Sequence, residues 1–369
     1  MADSKQPAPI VRQQSPLNVE YPFSRLSDWL IPSDQFYIRN HFRMPGLAVT
    51  DWRLAVTGAV DRPLSLDLDA LKALPKAEFA AVMECAGNGR VFYEPAREGL
   101  QWQDGAVGNA HWSGVLLRDV LALAGVRTNA VEVVLIGADR GLVDAGKKTA
   151  SPGEIAFARS LPVTKAMSES ALLAYAMNNE PLMLEHGFPL RAAIGGWYGM
   201  AWIKWLVEVR VVEQPFTGYW QTRDYIQWDR SLGEPMVAPL TTMNVKSQIA
   251  QPVNGAVVEA GRPLRIHGAA WAGEAGISIV EVATGDDAPW QAATLVGPAS
   301  PHGWRLWEFI WTPPAPGRYH LKSRATDVLG NRQPEAAQPD RESYAANWVI
   351  PVMVEATAGP EEPADNFVI

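Results

Sequence analysis

The apolar positions along this chain change rhythm repeatedly, and those changes predict its elements. Residues 54–60 (Leu-Ala-Val-Thr-Gly-Ala-Val) form a β-type run closed by the turn Asp61-Arg62-Pro63. Residues 66–74 carry apolar positions at helical spacing and stop before Pro75, which predicts a helix. Residues 80–85 form a short apolar strand running into Ala86-Gly87-Asn88-Gly89, a glycine-rich turn. The pattern predicts a helix over 116–124 capped by Gly125, a buried strand over 131–136 and a long strand over 202–212. Residues 171–177 suit strand or helix, because short apolar runs show no period.

Between residues 215 and 260 the periodicity weakens and Pro215, Gly218, Pro235, Pro239, Pro252 and Gly255 punctuate the chain, which predicts a domain boundary. Beyond it, short β-type runs at 264–267, 277–282, 304–311 and 319–325 are separated by turn clusters such as 313–317, a pattern that favours a β-sandwich. The expected organisation is an extended lead-in (1–35), a first domain (36–235), a second domain (236–356) and an acidic, Pro-bearing tail (357–369).

Composition narrows the function. The 369 residues fit about two domains, and 47% hydrophobic with 20% charged residues is ordinary for a water-soluble globular chain. Fifteen Trp call for a large packed interior. The net charge of −8, with no block of Lys or Arg, gives a nucleic acid nothing to bind. No run reaches the roughly 18 apolar residues of a membrane span. The first residues show no apolar signal-type region and no twin Arg, so the expectation is a cytoplasmic protein. A single cysteine excludes an internal disulfide and a Cys-rich zinc or iron–sulfur site.

That cysteine, Cys85, sits where a strand ends and glycines permit close approach. Alone it reads as a small buried hydrophobe; a soft-metal ligand and a nucleophile are the other possibilities. Three further clusters bear on the choice. Arg39, Asn40 and His41 are consecutive, His186 and Arg191 flank a Gly/Pro turn, and Gly199 and Lys204 flank the start of the long strand. Guanidinium, imidazole and ammonium groups on loops suit a polar, phosphate-bearing ligand.

These segments occur together in one known order. Residues 36–41, Met83-Glu84-Cys85-Ala86-Gly87-Asn88-Gly89-Arg90, Gly99-Leu100-Gln101-Trp102, residues 172–178, His186-Gly187-Phe188-Pro189-Leu190-Arg191 and Ile203-Lys204-Trp205-Leu206 resemble the sulfite oxidase family, which includes plant-type nitrate reductases. Residues 311–314 and 324–334 resemble that family's immunoglobulin-like dimerisation domain. The likeness spans roughly residues 35–355. It implies an α+β chain: a mixed α/β molybdopterin domain followed by an immunoglobulin-like β-sandwich, assembled as a homodimer. It also implies a molybdenum–molybdopterin cofactor with Cys85 as the one protein ligand to the metal. Arg39, Asn40, His41 and Asp139 would hold the pterin, while His186, Arg191, Lys204 and the backbone of Trp202 and Ile203 would hold its phosphate arm. The cofactor carries the redox chemistry and the protein positions it.

The substrate pocket implied by the resemblance comprises Arg90, Trp102, Phe157, Trp197 and Ala201, with Cys85, Arg90 and Arg39 as its catalytic residues. Three positions depart from the family. Ala201 stands where it carries an Arg, Glu98 where it carries a Lys, and Phe157 where the alignment puts a Tyr. Losing a charge-assisted hydrogen bond costs about 1.5–3 kcal/mol, so two losses would weaken sulfite binding by roughly a hundredfold or more. The resulting expectation is two-electron oxo transfer on a small molecule, sulfite or another small oxyanion or oxide. Reduction of nitrate or of an S- or N-oxide is the alternative. Without haem or flavin segments in the 369 residues, electrons are expected to pass to a separate carrier such as a cytochrome. Two other readings compete: a Cys85 nucleophile with His111 or His186 as base, and a non-catalytic binding or assembly protein with a decayed redox domain.

Overall fold

Strand-forming apolar runs fill the first 212 residues, and in the computed structural model, which describes residues 8–144, 149–229, 233–338 and 343–359, they build two five-stranded sheets. One is antiparallel, in the order Glu180–Pro181, Ala171–Met177, Val107–Leu116, Lys76–Glu84, with Arg191–Ile194 also pairing Ala171–Met177. The other runs Leu64–Leu66, Leu54–Gly58, Leu206–Val212, Glu132–Gly141, Ile155–Pro162 and is mixed, because Leu206–Val212 lies parallel to Leu54–Gly58. Among the described residues α-helix is confined to Leu68–Lys72, Leu117–Ala124 and Val163–Ala166, and none is long and apolar enough to cross a membrane.

Several sequence expectations change where neighbours intervene. The helix expected over 66–74 shrinks to Leu68–Lys72, because Leu64–Leu66 joins the sheet and Asp67 caps the helix by accepting from Ala70 N–H at 2.8 Å. The helix before Gly125 runs from Leu117 to Ala124, and Gly125 takes φ +73° as its left-handed cap. Residues 171–177 are strand, settled by pairing on both sides rather than by pattern. The long strand begins only at Leu206, since Trp205 turns the chain with φ +49°.

The second unit is a two-sheet β-sandwich. Lys246–Gln251, Leu264–Trp271, Arg305–Trp311 and Thr294–Val296 form one sheet; Ala256–Glu259, Val352–Thr357, Gly317–Asp327, Ile277–Ala283 and Gln291–Ala292 form the other. Ile266, Val280, Val282, Trp307, Leu321 and Val354 fill the space between them. The first and last strands of this unit carry weak alternation and escaped the sequence pattern. The acidic tail falls outside the described residues from 360 onward.

The N-terminal segment does more than lead in. Ile10–Gln13 pairs with Asn18–Glu20, and Tyr21, Phe23, Leu26 and Ile31 are buried. Trp29 and Trp304 exchange indole-to-carbonyl hydrogen bonds at 3.0 and 2.9 Å, tying this segment to the sandwich. Val82 N–H donates to His302 O at 2.8 Å, so the sandwich also docks on the edge of the Lys76–Glu84 strand. Seven indoles are fully buried, among them Trp102, Trp112, Trp202 and Trp271, which answers the demand the Trp content made.

Candidate functional site

The turn after Lys76–Glu84 is built to aim Cys85 into a cavity. Cys85 N–H extends the ladder by donating to Ala106 O at 2.9 Å, and Asn88 N–H closes the turn on Cys85 O at 2.8 Å. Buried Asn88 donates to Glu84 Oε1 at 3.0 Å and accepts from Ala106 N–H at 3.1 Å. Both glycines are needed. Gly89 takes φ +83°, and a Cβ on Gly87 would stand 2.6 Å from Arg90 Nη2. Burial pushes the Cys85 thiol up, while the Arg39 charge, the Gly87 N–H and Arg90 pull it back toward thiolate.

The cavity opens to solvent, and the atom-free space in and just outside its mouth is about 520 Å³. Of the residues singled out in the sequence, Arg39, His41, Cys85, Phe157, His186, Arg191, Trp202 and Lys204 line it together, although they come from segments spread from residue 39 to residue 204. Asn40 stands just behind, hydrogen-bonded through Oδ1 to Lys204 Nζ and held by Leu17 O and Asn18 Oδ1 at 2.8 Å each. A bulge between Ile136 and Arg140 places buried Asp139 beside Gly137, where an added Cβ would meet Asp139 Oδ1 at 2.5 Å and Lys204 O at 2.8 Å. Burial raises Asp139 to about 7 against the opposing charge of Lys204, and burial likewise drives the Lys204 ammonium well below its usual range. Ile203 is buried off the cavity lining, its carbonyl accepting from Ala192 N–H at 2.8 Å.

Arg191 is the most constrained of these groups. Its guanidinium donates to His186 O at 2.9 Å, Trp202 O at 3.1 Å and Met83 Sδ at 3.2 Å, and lies against the mutually packed rings of Trp112 (4.9 Å) and Trp202 (5.9 Å). It therefore shapes the wall rather than reaching freely across the cavity. Arg39, by contrast, is held only by Asn18 Oδ1 at 3.2 Å and by Asn40 O, and has no ion-pair partner among the described residues.

Four expected pocket residues lie elsewhere. Arg90 is buried with its guanidinium on Ser343 O (3.1 Å) and Leu100 O (2.7 Å), so it braces the Cys85 turn from behind. Trp197 directs Nε1 at Glu274 Oε1, 3.2 Å away, toward the sandwich. Trp102 and Ala201 are packed in the core behind the cavity wall. Tyr225 is the residue that sequence missed. It lines the cavity with its hydroxyl 2.7 Å from His41 Nε2, and burial raises its pKa, so it stays protonated. The cavity therefore has a tyrosine hydroxyl despite Phe157, supplied from residue 225 at a distance in sequence that local pattern cannot bridge. Only the charge changes at Glu98, which is exposed, and Ala201 stand.

A thiol–imidazole pair finds no support. His111 pairs with Ala80, five residues up the ladder from the Cys85–Ala106 contact, roughly 17 Å at the rise of a strand. His186 Nε2 donates to Ser33 O at 2.7 Å, and burial lowers its pKa to about 3. The unfolded chain accepts this proton near pH 6.5 and the native chain only near pH 3. Its stabilising contribution is thus complete above pH 6.5 and is lost as pH falls through that window. Between pH 6.5 and 4.5 the loss should reach about 2–3 kcal/mol. A His186→Gln chain should lack this component, so its melting temperature should approach the parent's as pH falls; parallel pH profiles would refute the assignment.

The donor set fits a metal that brings most of its ligands with it. Among the described residues no group of three or more His, Cys, Asp or Glu can hold a metal ion, so Cys85 can contribute only one bond. Arg39, Lys204 and Asn40 supply donors, and Asp139 an acceptor, around the same space.

Residues 41–220 match the model of the oxidoreductase molybdopterin binding domain, and residues 238–355 that of the Mo-co oxidoreductase dimerisation domain. The chain is 34% identical to the sulfite oxidase of Gallus gallus over 350 residues, covering 89% of this chain and 73% of that protein. It is 34% identical over 355 residues to the mitochondrial sulfite oxidase of Mus musculus, covering 91% of this chain and 63% of that longer protein. The sulfane dehydrogenase SoxCD of Paracoccus pantotrophus superposes with a TM-score of 0.77 at 26% identity, over 94% of this chain and 85% of that one. The chain belongs to the sulfite oxidase family of molybdopterin-dependent oxidoreductases.

Proposed function

We propose that this chain, as a homodimer, carries out two-electron oxo transfer on a small sulfur oxyanion of the sulfite type and passes the electrons to a separate carrier such as a cytochrome. The observation that carries this reading is the placement of Cys85, Arg39 and the Tyr225–His41 pair on one cavity. Arg39, His186, Arg191, Lys204, Asn40 and Asp139 would hold the pterin, and Cys85 would hold its metal. Bound there, the cofactor supplies the two-electron redox change and the transferable oxygen.

The chain's own groups do the rest. Arg39 faces the cavity and is held only by Asn18 Oδ1 and Asn40 O among the described residues, which leaves its charge to attract and orient an oxyanion. Tyr225, kept protonated, donates its hydroxyl hydrogen to a substrate oxygen while His41 fixes the direction of that hydroxyl. Net oxidation of sulfite would add one water oxygen and release two protons and two electrons. The sulfur chemistry named in the sulfite oxidase and sulfane dehydrogenase relatives supports sulfur as the reacting centre. The dimerisation-domain match supports the homodimer.

The test is a steady-state screen of sulfite, nitrate and S- and N-oxides with an artificial electron carrier. Sulfite should show the highest kcat/KM, and Tyr225→Phe should lower it about 10–100-fold, the worth of one hydrogen bond to a charged group. Faster reduction of nitrate or an oxide than oxidation of sulfite would overturn the proposal.

A further inference from the structure

The Cys85 turn is held by residues of the sandwich. Lys246 Nζ meets Glu84 Oε1 at 3.0 Å, with both side chains almost wholly buried. Trp271 Nε1 donates to Glu84 Oε2 at 2.9 Å. Lys246 and Trp271 are direct cross-strand partners, so the sandwich presents them to Glu84 as a pair. Glu84 in turn accepts from Asn88, which closes the turn around Cys85.

The loop makes room for this contact. A Cβ at Gly89 would stand 3.2 Å from Ala346 Cβ and 3.7 Å from Lys246 Nζ, so the lysine passes where a larger side chain would project. On the other side, Ala345 N–H donates to Ala86 O at 2.7 Å. Residues immediately before and after Cys85 are therefore both fixed by the second unit. A buried ion pair of this kind adds little stability over an apolar pair of similar volume, because desolvation offsets its attraction. What it can add is a defined geometry, since a carboxylate with three fixed donors has one place to sit.

We infer that Glu84, Lys246 and Trp271 are positioning residues through which the sandwich domain sets the placement of the Cys85 sulfur, an inference that rests on Cys85 as the metal ligand. The second unit thus completes the reaction site as well as supporting assembly.

Cys85 is the only thiol in the chain, which gives a clean probe. In the cofactor-free full-length chain, Lys246→Met should change the rate of Cys85 alkylation by iodoacetamide about tenfold, and Trp271→Phe, a milder change, about threefold. Glu84→Gln combined with Lys246→Met removes the pair that sets the placement and should leave the rate displaced about as far as Lys246→Met alone does. Val280→Ala, a cavity in the sandwich core remote from Glu84, controls for lost stability and should leave the rate unchanged. Parent-like rates in both Lys246→Met and Trp271→Phe, or an equal change in Val280→Ala, would overturn the inference. If Lys246→Met does not fold, Trp271→Phe alone decides it. Retained molybdenum is measured alongside in the cofactor-loaded chains. Responsive alkylation rates with parent-like molybdenum in Cys85→Ser would uphold the positioning role and refute the metal role.

Discussion

Cys85→Ser should abolish turnover while leaving the pterin largely bound. The serine oxygen is harder and far less acidic than the thiol, so it replaces neither the softness nor the charge that a thiolate offers the metal. Burial, the largest influence, keeps the proton on the Cys85 sulfur, and the Arg39 charge and the Gly87 N–H offset it in part. Metal binding completes the shift by displacing the proton. Loss of a partner that merely supports a ligand costs roughly 10–100-fold, so loss of the ligand itself should cost more. The pterin contacts proposed for Arg39, Asn40, His186 and Lys204 do not involve the sulfur. Steady-state kcat, elemental molybdenum and extracted pterin, measured on the same preparation, separate the two effects. Parent-like turnover in this variant would remove Cys85 from the reaction.

Arg191→Ala should cost more stability than any other single change at the cavity. Truncation leaves His186 O and Trp202 O buried without their donors, at about 1–3 kcal/mol each. It also removes a cation that lies against the rings of Trp112 and Trp202. At about 2–4 °C per kcal/mol, melting should fall by roughly 5–20 °C. Arg191→Lys should recover only part of this, since one ammonium cannot span two carbonyls and stacks poorly. The cavity wall between His186 and Trp202 should loosen, so cofactor should also dissociate faster from the folded variant. Melting within about 2 °C of the parent would show that the guanidinium is replaceable by water.

Much of this protein is legible locally, and the failures share a cause. The strand before Cys85, the glycine turn and the Gly125 cap depend on neighbours a few residues away, and sequence places them well. Residues 171–177 remain ambiguous in sequence because an apolar run satisfies either period, and only the flanking strands decide. In the cavity, Arg39, His41, Cys85, His186 and Lys204 stand in local motifs and are readable. Tyr225 is not, because its ring reaches the site from a segment of weak periodicity after the long strand. Arg90 and Trp197 show the converse error: each stands beside a motif in sequence but turns its polar atoms toward residues 343 and 274.

By its resemblance to the sulfite oxidase family the sequence pointed to a set of residues for a metal-bearing, phosphate-armed cofactor, with Cys85 as the single sulfur toward the metal. That resemblance lies in short motifs, which depend on donor chemistry and on turns of a few residues. Only the tertiary structure decided which of those groups face the cavity and which brace it. It alone brought Tyr225 to His41 and Lys246 to Glu84, contacts that span 184 and 162 residues. Side-chain direction at such separations follows from packing whole sheets together, and no local pattern encodes it.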